Sequence, residues 1–223
     1  MTFQRARSEE QREVRRRAIL GAAADMLAEM PVADISLNEL SRRTGLAKSN
    51  VLRYFESREA VLLELLDSVW RDWLARLDMA VPLAAPAAER GDQVAAALAS
   101  SLAAEPALCD LLNAQAAVLE RNVSPEIAAQ YKRAALANVA TFARLLLGSL
   151  PELGEQGAFR LAGAVIMVAG ALWPHSQPTA AMLAAYAADP DLAAMRLDFT
   201  TTMREAVEVL ISGLLARSSV NRD

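Results

Sequence analysis

The 223-residue chain has little of several residue types that mark particular protein classes. A single cysteine, Cys109, excludes an internal disulfide framework and a cysteine-rich zinc site. A single histidine, His175, argues against a histidine metal cluster within one chain. Nine glycines and nine prolines are too few for a collagen-like or Gly/Pro low-complexity chain. These scarcities predict no metal site.

Long apolar runs are also missing. The longest run extends from Leu161 to Trp173, which as a helix would reach about 20 Å, whereas the core of a bilayer is about 30 Å thick. The first residues, MTFQRARSEEQREVRRR, contain no apolar stretch of the kind found in secretory signals. We therefore expect a cytoplasmic protein that has no membrane partner.

Familiar catalytic motifs are not found in the sequence. It contains no H-E-x-x-H helix, no phosphate-binding P-loop, no G-x-G-x-x-G dinucleotide loop and no Ser-His-Asp set. The sequence therefore predicts a protein that is not an enzyme and holds no cofactor.

What the chain has in abundance is alanine and other apolar residues. It is 54% hydrophobic, so a buried core is expected and disorder is not. Alanine favours helices, and the β-branched residues that favour strands are sparse. The fold class predicted is all-α.

Charge is unevenly distributed along the chain. Residues 1–58 hold 11 Lys and Arg against 8 Asp and Glu, whereas residues 59–223 hold 12 against 19. A basic amino end on an acidic body indicates that one part meets a polyanion. A scattered, solvated surface is the alternative explanation.

Helix signals cover most of the sequence. The first helix is predicted from Glu9 to Met30, where Pro31 follows, and the second begins after the N-cap Ser36 and ends at Gly45. A third short helix is predicted over 48–54, and a long fourth helix follows Ser57 and extends to 79. The later helices, separated by prolines, are predicted at 88–104, 106–122, 125–149, 155–173, 179–188 and 191–217.

The segment from Ile35 to Leu62, ISLNELSRRTGLAKSNVLRYFESREAVL, matches the spacing of a helix-turn-helix. Val51 and Phe55 lie four residues apart and share one face of the second helix of this motif, which must pack inward. The opposite face is then free to enter the major groove of DNA.

That free face carries side chains suited to DNA. Ser49, Asn50 and Arg53 are small or hydrogen-bonding, and we expect Arg53 to favour guanine and Asn50 to favour adenine. Phosphate contacts are expected from residues at the ends of the motif and from the arginine-rich start of the first helix, namely Lys48, Tyr54, Arg58 and Arg16.

The same segment resembles the DNA-binding domain of the tetracycline-repressor (TetR) family of bacterial transcription regulators. The resemblance covers about residues 12–65. It is carried by one set of positions with the family's spacing: Leu40, Ser41, Gly45, Leu46, Ala47, Val51, Leu52, Tyr54, Phe55, Ser57, Arg58, Glu59 and Val61. Two of these depart from the usual pattern, because Ala47 replaces the Ser or Thr cap of the recognition helix and Leu52 replaces a Tyr.

The resemblance implies a homodimer that binds a palindromic, double-stranded DNA operator and regulates transcription, most often as a repressor. It implies a DNA-binding domain at 1–56 and a ligand-binding and dimerisation domain at 57–223. By position, Asn38 is also expected to reach DNA and Ser36 to contact phosphate.

In such dimers the last two long helices usually form the interface. Here those helices carry apolar stripes, and the residues predicted at the interface are Leu161, Val165, Val168, Val207, Leu210 and Leu214. The alternative is that both stripes belong to the internal core.

A small hydrophobic effector is expected to bind in the larger domain and to release DNA. The residues predicted to line its pocket combine polar and apolar side chains, namely Trp73, Asn113, Asn138, Thr141, Phe142 and Met167. Two alternatives are that the polar side chains are satisfied internally, and that the protein binds DNA without any small-molecule effector.

Overall fold

A computed structural model describes residues 2–79 and 81–220 of the chain. Its described elements are helical, without a strand, which confirms the all-α prediction. The α-helices in chain order are α1 (Thr2–Glu29), α2 (Leu37–Thr44), α3 (Lys48–Val51), α4 (Arg58–Arg76), α5 (Ala87–Ala103), α6 (Pro106–Ala114), α7 (Pro125–Ser149), α8 (Gly154–Leu172), α9 (Ala180–Ala188), α10 (Pro190–Ala193) and α11 (Phe199–Val220). A π-helical turn, Gln115–Leu119, continues α6.

The first three helices form a small layer on the amino end of α4. Ile19 and Met26 of α1 are fully buried, and so is Leu40 of α2. The α2 helix begins where the Ser36 hydroxyl accepts a hydrogen bond from the Glu39 amide at 3.2 Å. It ends at Gly45, whose φ of 65° is the left-handed conformation that glycine adopts without strain.

The helices α5 to α8 and α11 form one bundle, in which α8 packs against α6, α7 and α11, and α11 packs against α5. The helices α9 and α10 pack on each other and have no buried residues. The α4 helix belongs to both layers, because it packs on α1 as well as on α6 and α7. Its side chains toward the bundle are buried, including Leu66, Trp70 and Trp73. The α4 helix therefore connects the helix-turn-helix to the rest of the fold.

Several predicted boundaries differ from the observed ones. The helix predicted at 191–217 is wrong as a single element, because α10 ends at Ala193 and α11 begins at Phe199. The cause is a second cap, in which the Asp198 carboxylate accepts a hydrogen bond from the Thr201 amide at 2.8 Å. The third helix, predicted over 48–54, ends at Val51 and continues as a turn.

The segment Pro151–Ser176, which contains α8, is by length and composition apolar enough to cross a membrane. It is longer than the apolar run identified in the sequence. Nearly half of its most apolar window, 44%, is buried inside the fold, and α8 packs against three other helices. It is thus placed as a core helix of the bundle.

Close packing of α8 on α6 depends on Gly170. A Cβ atom at this position would lie 3.1 Å from the Leu112 carbonyl carbon and 3.2 Å from the Asn113 amide nitrogen. We expect Gly170→Ala to lower the free energy of unfolding by about 1–2 kcal/mol, because backbone atoms of α6 must move.

Urea unfolding measures this change, and Gly163→Ala on the same helix is the matched control. A Cβ atom at Gly163 meets nothing within 4 Å, so alanine there should raise the stability by about 0.5–1 kcal/mol. Equal effects of the two substitutions would show that contact with α6 does not restrict position 170.

Candidate nucleic-acid interface

The short helix α3 presents one buried and one exposed face. Val51 is fully buried and Phe55, in the turn that follows, is nearly so. Ser49, Asn50 and Arg53 are exposed, as is Lys48 at the start of the helix. This distribution of burial agrees with the predicted faces and leaves hydrogen-bonding side chains free to approach a groove.

The start of α3 has no side-chain cap. Its N-cap residue is Ala47, and no side chain accepts a hydrogen bond there. The Leu52 side chain is exposed where the family pattern has Tyr. This short helix is instead held by the burial of Val51 and Phe55. A backbone hydrogen bond from the Phe55 amide to the Val51 carbonyl (3.1 Å) adds to this.

On one side of α3, a shallow depression of about 290 Å³ gathers four residues predicted from the sequence to contact DNA. They are Ser36, Asn38, Lys48 and Arg58. The start of α2 and the start of α3 come together here, which the sequence spacing alone does not show. The depression combines cationic and hydroxyl groups, which bind DNA phosphates, with the carboxylate of Glu59.

On the other side, a cleft of about 930 Å³ separates α1 from the turn that follows α3. Arg53 and Tyr54 line one wall. Arg12 and Arg15 of α1 line the opposite wall, and both side chains are exposed. Sequence reasoning selected Arg16 from this arginine-rich run and missed these two neighbours, although their spacing of three places them on one helix face.

Two further arginines of the motif are neutralised within the chain. Arg43 donates to the Glu29 carboxylate and to Glu39, and Arg42 also donates to Glu39. These hydrogen bonds hold the pKa of the Glu39 carboxyl down, at about 2. The positive charge that faces outward beside α3 is therefore carried by other residues, chiefly Lys48, Arg53, Arg12 and Arg15.

Arg16 points inward rather than toward solvent. Its guanidinium donates to the Tyr54 carbonyl at 2.7 Å, pairs with the Glu64 carboxylate of α4 and lies 4.4 Å from the centre of the Phe55 ring. These contacts occupy the group that was predicted to reach a phosphate. The structure thus gives Arg16 an internal role, fixing the turn after α3 on α4.

Arg58 is similarly engaged. Its guanidinium donates to the Ile35 carbonyl at 2.8 Å and pairs with Glu59 at 3.2 Å. Arg58 also lines the depression beside Lys48. Arg58 therefore fixes the segment before α2, and a phosphate contact would have to share its guanidinium.

Two more hydrogen bonds tie the helix-turn-helix to the bundle. The Ser124 amide, at the start of α7, donates to the Glu56 carboxylate at 2.6 Å. The Val32 amide, just after α1, donates to the Asp110 carboxylate of α6 at 2.9 Å. The segments on either side of α2 and α3 are thereby attached to α6 and to the start of α7.

The predicted ligand-binding residues do not form one pocket, and this prediction is corrected. Trp73 and Phe142 pack edge to face with centroids 5.2 Å apart, and the Trp73 indole donates to Ser101. Asn138 is buried and donates to Asp67 at 2.9 Å, which is the internal satisfaction offered as the alternative.

The other three predicted residues are exposed or half-buried. Asn113 and Met167 are exposed, the latter to 71%, and the Thr141 hydroxyl accepts a hydrogen bond from Arg144. A half-open cavity between α4 and α7 measures about 60 Å³, and another pocket of about 150 Å³ lies beside Trp73 and Ser101.

The predicted interface residues divide into two groups. Leu161, Val165 and Val207 are fully buried within one chain, so they belong to the internal core and offer no surface to a partner. Val168, Leu210 and Leu214 are half-buried. Met167 and Val209, which were not predicted at an interface, expose 71% and 72% of their surface.

Cys109 is fully buried in α6, and burial raises the pKa of its thiol to about 12. The thiol is therefore protonated and shielded, as expected of a small core residue. Within residues 2–79 and 81–220, no three His, Cys, Asp or Glu side chains come together as a metal site would require.

Two family models match the chain. The model described as "Bacterial regulatory proteins, tetR family" matches residues 19–65, which include α2, α3 and the start of α4. The model described as "Tetracyclin repressor-like, C-terminal domain" matches residues 67–218. Together they span the motif and most of the bundle.

Similar curated proteins are transcriptional regulators. The HTH-type transcriptional regulator EthR of Mycobacterium tuberculosis is 46% identical over 52 residues, which are 23% of this chain and 24% of EthR. The HTH-type transcriptional regulator RutR of Escherichia coli K12 is 33% identical over 63 residues, 28% of this chain and 30% of RutR. The alignments thus cover less than a third of either relative.

Solved structures share the fold over nearly the whole length. A TetR transcriptional regulator from Rhodococcus sp. RHA1 has a TM-score of 0.52 and 17% identity, with 91% of this chain and 96% of that one covered. The fatty acid degradation regulator FadR from Bacillus halodurans has a TM-score of 0.53 and 16% identity, with 88% and 97% covered.

Proposed function

Because this chain belongs to the tetracycline-repressor family of bacterial transcriptional regulators, we propose that it is a homodimeric repressor that binds a palindromic operator. A small apolar effector releases the repressor from this operator. As a member of this family of regulators, the chain is not an enzyme. Residues 1–56 bind DNA in this proposal, and residues 57–223 bind the effector and form the dimer. The protein acts in the cytoplasm, where its operator is found. The observation that carries the proposal is the exposed polar face of α3. It lies between the depression and the cleft described above, and cationic side chains line both.

In this proposal α3 enters the major groove. Arg53 and Asn50 read base edges and Ser49 packs against them, because a guanidinium suits guanine and an amide suits adenine. Lys48 and Tyr54 bind phosphates on the two sides, together with Ser36 and Asn38 at the start of α2. Arg12 and Arg15 join the phosphate contacts in place of the inward-facing Arg16.

The dimer follows from the need to read two half-sites. A two-fold dimer places two copies of α3 in successive major grooves about one helical turn apart. The exposed apolar side chains Met167 of α8 and Val209 of α11 form its interface, with Val168, Leu210 and Leu214 at their edges. Apolar side chains exposed to this degree on the two helices gain most from a partner.

A second candidate function is DNA binding without a small-molecule effector. The packed Trp73–Phe142 pair and the 60 Å³ cavity favour it, since known ligand pockets measure about 300–1,000 Å³. Thermal stabilisation by a small molecule that also weakens operator binding separates the two candidates, because the second allows no such molecule.

Operator binding itself is tested by gel-shift titration on genomic fragments. We expect one or more fragments to bind much more tightly than random DNA, with log K falling by about 0.9 per phosphate contact for each unit of log salt. DNase footprinting of the bound fragment should protect a palindrome. If every fragment binds no more tightly than random DNA at low salt, the proposed operator recognition is wrong.

A further inference from the structure

Both apolar and acidic side chains line the cavity between α4 and α7. Ala60 and Leu63 of α4 and Ile127 of α7 supply apolar surface. Glu64 and Asp67 of α4 supply two carboxylates to the same space. A cavity in which apolar walls meet convergent acidic groups suits a ligand that has an apolar body and a polar head.

Tyr131 of α7 also lines the cavity, and its hydroxyl is buried without a hydrogen-bond partner among the described residues. The residue is only 4% exposed. Burial raises the pKa of this hydroxyl, and the charges of Glu120 and Asp67 raise it further, so the group is neutral. Its oxygen can accept a hydrogen bond from a ligand, and a buried polar group without a partner is stabilised when a ligand supplies one.

The carboxylates of Glu64 and Asp67 have hydrogen-bond acceptor sites that remain unused. One oxygen of Glu64 pairs with Arg16, and Asp67 accepts hydrogen bonds from Asn138 and Arg71. A carboxylate can accept about four hydrogen bonds, so acceptor sites remain on both. Burial raises the pKa of Glu64, and the charge of the neighbouring Arg16 opposes that rise.

We propose that this cavity binds the head of a small primary ammonium compound with an apolar body. Its three N–H groups donate to the Tyr131 oxygen, to Glu64 and to Asp67. The inference rests on the proposed function, because it names the chemical class of the effector and the place where it binds. An anion of the same size is excluded by the two carboxylates, and a neutral alcohol makes fewer of the bonds.

Both walls of the cavity are tied to the turn that follows α3. Arg16 bridges Glu64 on α4 to the Tyr54 carbonyl, and the Ser124 amide at the start of α7 donates to Glu56. A space of about 60 Å³ has room for about two water molecules, so an alkylammonium must spread α4 from α7. Such a ligand favours a conformation in which both ties are altered and α3 is displaced.

The test uses n-pentylammonium with the full-length protein, and compares it with pentan-1-ol and pentanoate. Isothermal titration should give the amine an affinity about tenfold or more above those of the other two, because charge-assisted hydrogen bonds are the stronger ones. Tyr131→Phe removes one ligand contact and should weaken amine binding about tenfold. Amine binding that equals alcohol binding, or that is unchanged in Tyr131→Phe, would overturn the proposed recognition.

A matched pair of substitutions on α7 locates the site. Ala134 lines the cavity and Ala137, three residues on, is exposed. Ala134→Leu should fill the space and abolish amine binding, whereas Ala137→Leu should bind as the wild type does. Equal binding by the two variants would place the amine elsewhere and overturn the inference.

Operator binding in the presence of the amine is measured last. Saturating n-pentylammonium should weaken operator affinity by about tenfold in the wild type and in Ala137→Leu, and not in Ala134→Leu. If the protein binds no operator, the proposed function fails while titration still shows whether the amine site exists. The amine could instead bind at this site and leave a normal operator affinity unchanged. That result would refute the amine as an effector but would not affect the proposed DNA-binding function.

Discussion

Met167→Glu and Val209→Glu are each expected to convert the protein from a dimer to a monomer at micromolar concentration. Both side chains are largely exposed in the single chain, so glutamate should leave the fold intact. In the proposed interface the same carboxylates would be buried without partners, at a cost of several kcal/mol each. A two-fold interface contains every substitution twice, which doubles the cost.

Operator affinity should fall when the dimer dissociates. A monomer contacts one half-site, so it loses the gain from linking two contacts, on the order of 100-fold or more. Sedimentation velocity measures the oligomeric state and gel shift measures the affinity.

Leu136→Glu is the matched control for these two variants, because Leu136 is an exposed apolar residue on α7. It should remain dimeric, and circular dichroism should show unchanged helicity in all three proteins. A monomeric wild type, or Met167→Glu and Val209→Glu proteins that both stay dimeric, would contradict the proposed interface.

The parts of the fold that the sequence predicts well are those with local signals. Ser36, Ser57 and Ser124 each accept a hydrogen bond from a backbone amide three residues on, as helix N-caps do. The helix predicted at 125–149 has the observed bounds of α7, because Ser124 and Pro125 mark its start and Pro151 follows its end.

Where a local signal was overlooked, the boundary was wrong. Asp198 precedes α11 and caps it through the Thr201 amide, and this hydrogen bond lowers the pKa of the carboxyl. The Asp189 carboxylate caps α10 by accepting a hydrogen bond from the Asp191 amide, two residues on. Aspartate is a common N-cap residue, but the apolar stripe predicted for the last helix continues the pattern of a single helix over 191–217.

The site was predicted less completely, because it depends on which way long side chains turn. Arg12, Arg15 and Arg16 are neighbours in one helix, yet Arg16 reaches Glu64 and the Tyr54 carbonyl while the other two face the cleft. The partner of Arg16 lies 48 residues away, so no local pattern reveals it. Likewise the Trp73–Phe142 contact joins two helices distant in sequence, and only packing shows that it fills the space assigned to a ligand.

Arg53→Ala is expected to weaken operator binding by about 1–3 kcal/mol and to relax sequence preference at one base step. The side chain is exposed and points away from buried Val51 and Phe55, so the free energy of unfolding should stay within about 0.5 kcal/mol of the wild type. A guanidinium that binds a guanine edge stabilises only the complex with the operator. Binding to random DNA should therefore change much less than binding to the operator.

Lys48→Ala is the comparison that separates base reading from charge. Lys48 is also exposed and cationic, but it lies in the depression with Ser36 and Asn38, where we expect a phosphate. Its loss should weaken operator and random DNA alike and should reduce the salt dependence by about one phosphate contact. Gel-shift titrations of both variants on operator, single-base variants of the operator and random DNA, at two salt concentrations, measure all of these quantities. If Arg53→Ala instead behaves as Lys48→Ala does, with equal losses on every DNA and a lower salt slope, Arg53 contacts phosphate and the base reading must be assigned to Ser49 and Asn50.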